Sequence, residues 1–89
     1  MRTPSYTRYF AKDMKLVKKR GKDTDKIRKV ITWILEDKPL DARLRDHKLS
    51  GNYADHRECH IEPDWLLIYK LEPGIAIFVR TGTHSDLFR

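Results

Sequence analysis

Between Arg57 and Lys70 the chain changes its pattern of apolar and polar positions. Over 57–62 the two kinds alternate. Cys59 and Ile61 fall on one face of a predicted β-strand, and Glu58, His60 and Glu62 fall on the other. From Trp65 to Leu71 the run is almost unbroken and apolar, which predicts a central strand covered on both faces. Pro63 lies between them and has no N–H to give to a ladder, so it marks the break. Asp64 and Trp65 then sit at a strand end, beside a histidine facing away from the predicted core.

Upstream the period becomes helical. Residues 2–6 predict a short edge strand, limited by Pro4. Thr7 is a candidate N-cap for a helix carrying Tyr6, Tyr9, Phe10, Met14, Leu16 and Val17 at roughly helical spacing. Lys18, Lys19 and Arg20 suit its negative end, and Gly21 suits the C′ position. A second helix begins at a cap on Asp23 or Thr24. Ile27, Val30, Ile31 and Ile34 form its stripe, Trp33 and Leu35 flank it, and Pro39 stops it. The short link predicts an antiparallel helix hairpin.

Residues 38–56 read as irregular, with a short strand at 44–48 and a turn at Ser50-Gly51-Asn52. Glu72-Pro73-Gly74-Ile75 suits a type II turn leading into a strand over 75–81. In that strand Ile75, Ile77 and Val79 share one face, and Ala76, Phe78 and Arg80 share the other. A turn and a short helical turn close the chain. The order β-α-α-β-β-β predicts an α+β fold, a helix hairpin on a small antiparallel sheet, in one domain over 1–89.

Composition narrows the class. A chain of 89 residues with 10% aromatics and 36% charged residues fits one folded domain with a modest core. The net charge of +6 favours an anionic partner: nucleic acid, an acidic protein or an acidic membrane surface. The single cysteine, Cys59, excludes an internal disulfide framework and suits a reducing compartment. No signal peptide is expected after Met1, and no run approaches the ~18 apolar residues of a membrane span. A cytoplasmic protein is the expectation.

Four histidines, His47, His56, His60 and His84, lie outside the helix hairpin. Imidazole titrates near neutral pH, so a convergent set could move protons. The usual Cys/His zinc spacings are missing, and no metal or cofactor is expected. Cys59 reads as a small core residue. Asp64 can order the turn after Pro63, or can orient a histidine. Trp65 is either core or a stacking surface for a base, and Arg80 either pairs with an acid or clamps a phosphate. Lys15, Lys18, Lys19, Arg20, Lys22, Lys26, Arg28 and Lys29 form a solvated helix surface that could also hold an RNA backbone.

Three segments together carry a resemblance. They are Asp46-His47-x-Leu49-x-Gly51, then Arg57-Glu58-x-His60-Ile61-Glu62-Pro63-Asp64-Trp65-Leu66-Leu67-Ile68-Tyr69, and Arg80-Thr81-Gly82-Thr83-His84-Ser85-x-Leu87-Phe88. This combination resembles the YafQ-type toxins of the RelE superfamily, ribosome-dependent mRNA endonucleases of bacterial toxin–antitoxin pairs. The resemblance implies a RelE-like fold and active-site positions at His47, His60, Asp64, Trp65, His84 and Phe88. The chain departs from the family at 52–56, where around 53–56 Tyr53-Ala54-Asp55-His56 replaces a more usual Trp-Lys-Gly-Tyr.

The chemistry so implied is metal-independent attack of a 2′-hydroxyl on the adjacent phosphate. His84 would be one proton-transfer partner and His60 with Asp64 the other. His47 and Arg80 would steady the phosphate, and Trp65 and Phe88 would stack on bases. Lys18, Lys19 and Arg20 would touch the ribosome. A cognate antitoxin and the ribosome with its mRNA are the implied partners, with a free monomer and a hetero-oligomer in the antitoxin complex. The alternative on the same scaffold is a ParE-like gyrase poison or an antitoxin-binding module without nuclease activity.

Overall fold

The computed structural model describes residues 1–88 and shows the α+β arrangement. Strand β1 (Thr3–Tyr6) leads into helices α1 (Arg8–Lys19) and α2 (Thr24–Leu35). Strands β2 (His47–Lys48), β3 (Arg57–Glu62), β4 (Trp65–Glu72) and β5 (Ile75–Gly82) follow, then a terminal helical turn α3 (His84–Leu87). The sheet order is β1-β5-β4-β3-β2. Neighbours are antiparallel except β1, which returns beside β5 in parallel. The sheet is therefore mixed, not wholly antiparallel.

Local chemistry sets the helix ends as expected. The Thr7 hydroxyl accepts from the Phe10 N–H, and the Asp23 carboxylate accepts from the Asp25 N–H. Gly21 sits at φ 80° past α1, while Lys22 and Gly21 N–H groups return to the carbonyls of Val17 and Lys18. That is the Schellman closure. Helix α2 ends the same way before Pro39 is reached, with Asp37 at φ 56° and the Lys38 N–H on the Trp33 carbonyl.

Strand β4 is covered on both faces. Trp65, Leu67 and Tyr69 pack with Cys59, Ala76 and Phe78 against Phe10, Val17, Ile27, Val30 and Ile34 of the helices. Leu66 and Ile68 pack on the other face with Leu87 of α3, flanked by Leu49, Tyr53 and Val79. The second cluster presses the terminal turn and the 49–53 loop onto the sheet, and so delivers His84 and Phe88 to one side of it.

Two bulges break the regular alternation. In β3 the pairing shifts between His60 and Glu62, and Glu62 turns to Lys22 and Lys26 of the helix layer, at 2.8 Å from each. In β5, Tyr69 pairs with Phe78 and Leu67 with Thr81, three residues apart where strict alternation needs an even number. Glu62 thus leaves the face of His60, and Arg80 leaves the face of Phe78.

Candidate active site

Antiparallel pairing places His47 of β2 directly opposite Glu58 of β3, and His60 lies two residues further along the same face. The Glu58 side chain is only 6% exposed. Its Oε1 lies 3.2 Å from His60 Nε2 and 3.7 Å from His47 Nε2, with the two rings 6.2 Å apart. His47 Nδ1 lies 2.6 Å from the Arg45 carbonyl, and His60 Nδ1 lies 3.4 Å from the Pro63 carbonyl. A carbonyl only accepts, so each Nδ1 carries a proton and each Nε2 is turned to Glu58. One buried carboxylate therefore serves two imidazoles.

The segment before His47 is held by a separate polar knot. Arg57 grips Asp46 through two nitrogens, at 2.8 and 3.2 Å from Oδ2, and the Tyr69 hydroxyl donates to Asp46 Oδ1. Burial pushes the Tyr69 phenol well above its usual range, and the Asp46 carboxylate beside it adds to that, so the hydroxyl remains a donor. Asp46 cannot swing, and the adjoining His47 is fixed against Glu58.

The other half of the site comes from the turns. Asp64, in the β3–β4 turn, accepts at Oδ1 from both the His84 backbone N–H (2.9 Å) and His84 Nδ1 (2.8 Å). The backbone bond and then the ring bond hold the Asp64 carboxyl below the usual carboxylate range. With Nδ1 so engaged, His84 Nε2 is left open, and the side chain is 54% exposed. The His84 ring centroid is 5.8 Å from that of His60 and 6.3 Å from that of Phe88. Phe88 is exposed and meets Tyr53 edge-on at 5.8 Å.

Asp86 locks this turn. It shares a capping box with Thr83, and Arg20 at the end of α1 donates to it at 2.7 Å. A Cβ on Gly82 would come within 2.8 Å of Asp86 Oδ2, so the strand end must be glycine for the carboxylate to sit there. Arg20, and next the Thr83 N–H, push the Asp86 carboxyl far below its ordinary value. A carboxyl depressed on folding stabilises the fold above its unfolded value, about pH 4, and ceases to do so as pH falls through the folded value. Asp86→Ala is accordingly expected to lower stability by about 1 kcal/mol at pH 7, the size of a lost helix cap. The gap from the parent protein should narrow below about pH 4; urea melts across pH would read it, and a gap constant to pH 2 would contradict this role.

The structure gathers His47, His60, Asp64, His84 and Phe88 along one side of the sheet, and it corrects four expectations. Asp64 partners His84, while His60 is backed by Glu58. Trp65 is 1% exposed, with Nε1 donating to Thr81 Oγ1 at 2.9 Å, so its faces are closed to a base. Arg80 is bound to Asp13 of α1 at 2.6 and 3.1 Å and so is no free clamp. Arg20 is spent on Asp86, whereas Lys18 and Lys19 are exposed and lack an ion pair among the described residues. His56 stays outside, its Nδ1 3.0 Å from the Ala54 carbonyl. Sequence reasoning passed over Glu58, although the alternation that put it beside His60 was the available signal.

His47, Glu58 and His60 each offer a ligand atom, all within 4.8 Å of one another. Two imidazoles and a carboxylate fit a zinc- or copper-like cation. The same three groups, with His84, equally suit proton transfer around a phosphate.

Comparison with known proteins adds the following. Residues 2–89 match the family model described as the bacterial toxin of type II toxin–antitoxin system, YafQ. The mRNA interferase toxin YafQ of Escherichia coli (strain K12) is 44% identical over 84 residues, 93% of this chain and 91% of that protein. The crystal structure of YafQ from E. coli BL21(DE3) superposes with a TM-score of 0.95 at 41% identity, covering all of both chains. The toxin in the E. coli DinJ–YafQ complex matches at 0.93 and 42%, again over both whole chains. A metal-bound toxin from Helicobacter pylori matches at 0.93 and 38%, over 99% of this chain and 100% of that one.

Proposed function

The chain belongs to the YafQ family of bacterial toxins of type II toxin–antitoxin systems and is an mRNA interferase, and we propose that it cuts RNA by acid–base catalysis between two carboxylate-backed imidazoles. The carrying observation is the pair His84–Asp64 and His60–Glu58, with ring centroids 5.8 Å apart, close enough for one phosphate lying along their rim to reach both. The substrate's 2′-hydroxyl attacks the phosphate and gives its proton to His60 Nε2, which turns from Glu58 to receive it while Nδ1–H stays on the Pro63 carbonyl. His84, steered by Asp64, gives a proton from Nε2 to the departing 5′-oxygen. A protonated His47, and His60 once it has taken the proton, place positive charge beside the phosphate's developing negative charge. The products are a 2′,3′-cyclic phosphate and a 5′-hydroxyl. Phe88, exposed beside His84, stacks on a base.

The ribosome supplies the message in a fixed posture, which can be worth several kcal/mol of barrier. Lys18 and Lys19 give the toxin a cationic contact for ribosomal RNA. The antitoxin partner corresponds in kind to DinJ, with which E. coli YafQ is found in complex. The protein acts in the cytoplasm, where the message is; no helix of the described residues is long and apolar enough to cross a membrane.

Cleavage is proposed to need no metal. A cation on His47, Glu58 and His60 would supply Lewis acidity there. The same residues free of metal provide the base and the positive charge, and His84 provides the acid. The test is 5′-end mapping of an mRNA in a purified translation reaction, beside ribosome-free RNA. One arm contains a chelator selective for transition metals over magnesium. New in-frame ends that require ribosomes and persist with chelator are expected. Cuts on free RNA alone would remove the ribosome from the mechanism, loss with chelator would remove metal independence, and no cuts at all would return the ParE-like reading.

A further inference from the structure

A groove of about 570 Å³ opens beside the site, between α2, the 41–45 segment and the end of β3. His60 borders it as well as belonging to the catalytic cluster, so groove and site are neighbours at the edge of β3. Its wall on α2 is Trp33, which lies outside the core and is 36% exposed, unlike Trp65. The charges at its margin are unequal. Asp41 is taken by Arg43, and Glu62 by Lys22 and Lys26. Lys29 and Arg45 have no carboxylate partner among the described residues. An indole, an apolar floor of Val30, Leu44 and Ile61, and two uncompensated cations form the chemistry that takes a nucleobase with its phosphate.

We propose that this groove is a second nucleotide subsite: a base of the message flanking the scissile phosphate stacks on Trp33, and Lys29 and Arg45 hold the adjoining backbone. The proposal rests on the mRNA-cleavage reading above and deepens it. RNA is favoured over a protein segment because the surplus charge is cationic and because the groove is bordered by His60, where the message must pass. The subsite gives the toxin a grip on sequence context, through a group that takes no part in the chemical step.

The experiment compares the parent protein, Trp33→Ala and Trp33→Phe on ribosome-bound messages, either intact or with one abasic nucleotide at a chosen position beside the cut. Trp33→Ala is expected to lower kcat/KM about 10-fold or more on intact message, the effect of losing one base–aromatic stack. Phenylalanine should restore most of it. On the message lacking the stacked base, parent and Trp33→Ala should cut alike. Equal rates on intact message would overturn the subsite, as would a defect that persists on every abasic message. Unchanged cleavage with weakened antitoxin binding would assign the groove to a protein segment and overturn it too. A parent protein that cuts no message at all would sink the nuclease reading itself, a separate and recognisable result.

Discussion

His84→Ala is expected to slow cleavage of ribosome-bound mRNA by about 10²–10⁴, the usual contribution of a positioned acid or base. The substitution is suited to the question because little else depends on the ring. The backbone N–H at position 84 still reaches Asp64, the Thr83–Asp86 capping box is untouched, and the side chain is exposed. Thermal stability and antitoxin binding should therefore stay near parental values while single-turnover cleavage collapses. Asp64→Asn should cost less than His84→Ala. The amide oxygen can still accept from both N–H groups, but it no longer places negative charge behind the imidazole. If His84→Ala cuts at the parental rate when chemistry limits turnover, proton transfer by His84 is wrong, and the Glu58–His47–His60 cluster must supply both steps.

Trp65→Ala is expected to act on stability instead, by about 3–5 kcal/mol. The indole is 1% exposed, packs among the buried residues between helices and sheet, and donates to Thr81 Oγ1, which in turn donates to the Leu66 carbonyl at 2.6 Å. Removing it leaves a cavity and takes from Thr81 its indole donor. A domain of this size holds only about 5–15 kcal/mol in total, so the variant should be partly unfolded at 37 °C. Trp65→Phe should lose less, because it keeps an aromatic ring in the space and gives up chiefly the hydrogen bond. Urea denaturation separates this from base stacking. A Trp65→Ala protein with parental stability and a defect confined to RNA cleavage would place the indole back in the substrate path.

The contrast between Asp64 and Trp65 shows what a local pattern can and cannot convey. Both stand near strand ends in a stretch rich in polar chemistry. The apolar run that begins at Trp65 already pointed to a strand covered on both faces, and Trp65 obeys it. For Asp64 the pattern left two roles open, and the structure pairs it with a histidine 20 residues away instead of its near neighbour His60. His60 instead answers to Glu58, two residues before it on the same strand face. That pair was legible in the alternation, since period two puts both on the side opposite Cys59.

Helix caps at Thr7 and Asp23, the left-handed Gly21, the Pro73-Gly74 turn and the two-sided burial of β4 follow from residues within a few positions of one another. Such features express backbone preference and side-chain period, which are local, and the amino-acid order was sufficient for them. The parallel return of β1 beside β5, the bulges that turn Glu62 and Arg80 off their expected faces, and the choice of partner for each charge depend on segments far apart in the chain. Arg20 meets Asp86 across 66 residues, and Arg80 meets Asp13 across 67. A cation in the sequence carries no sign of which carboxylate will lie within reach. Only the packing of helices on sheet makes those distances short, and so decides which basic residues are spent on carboxylates.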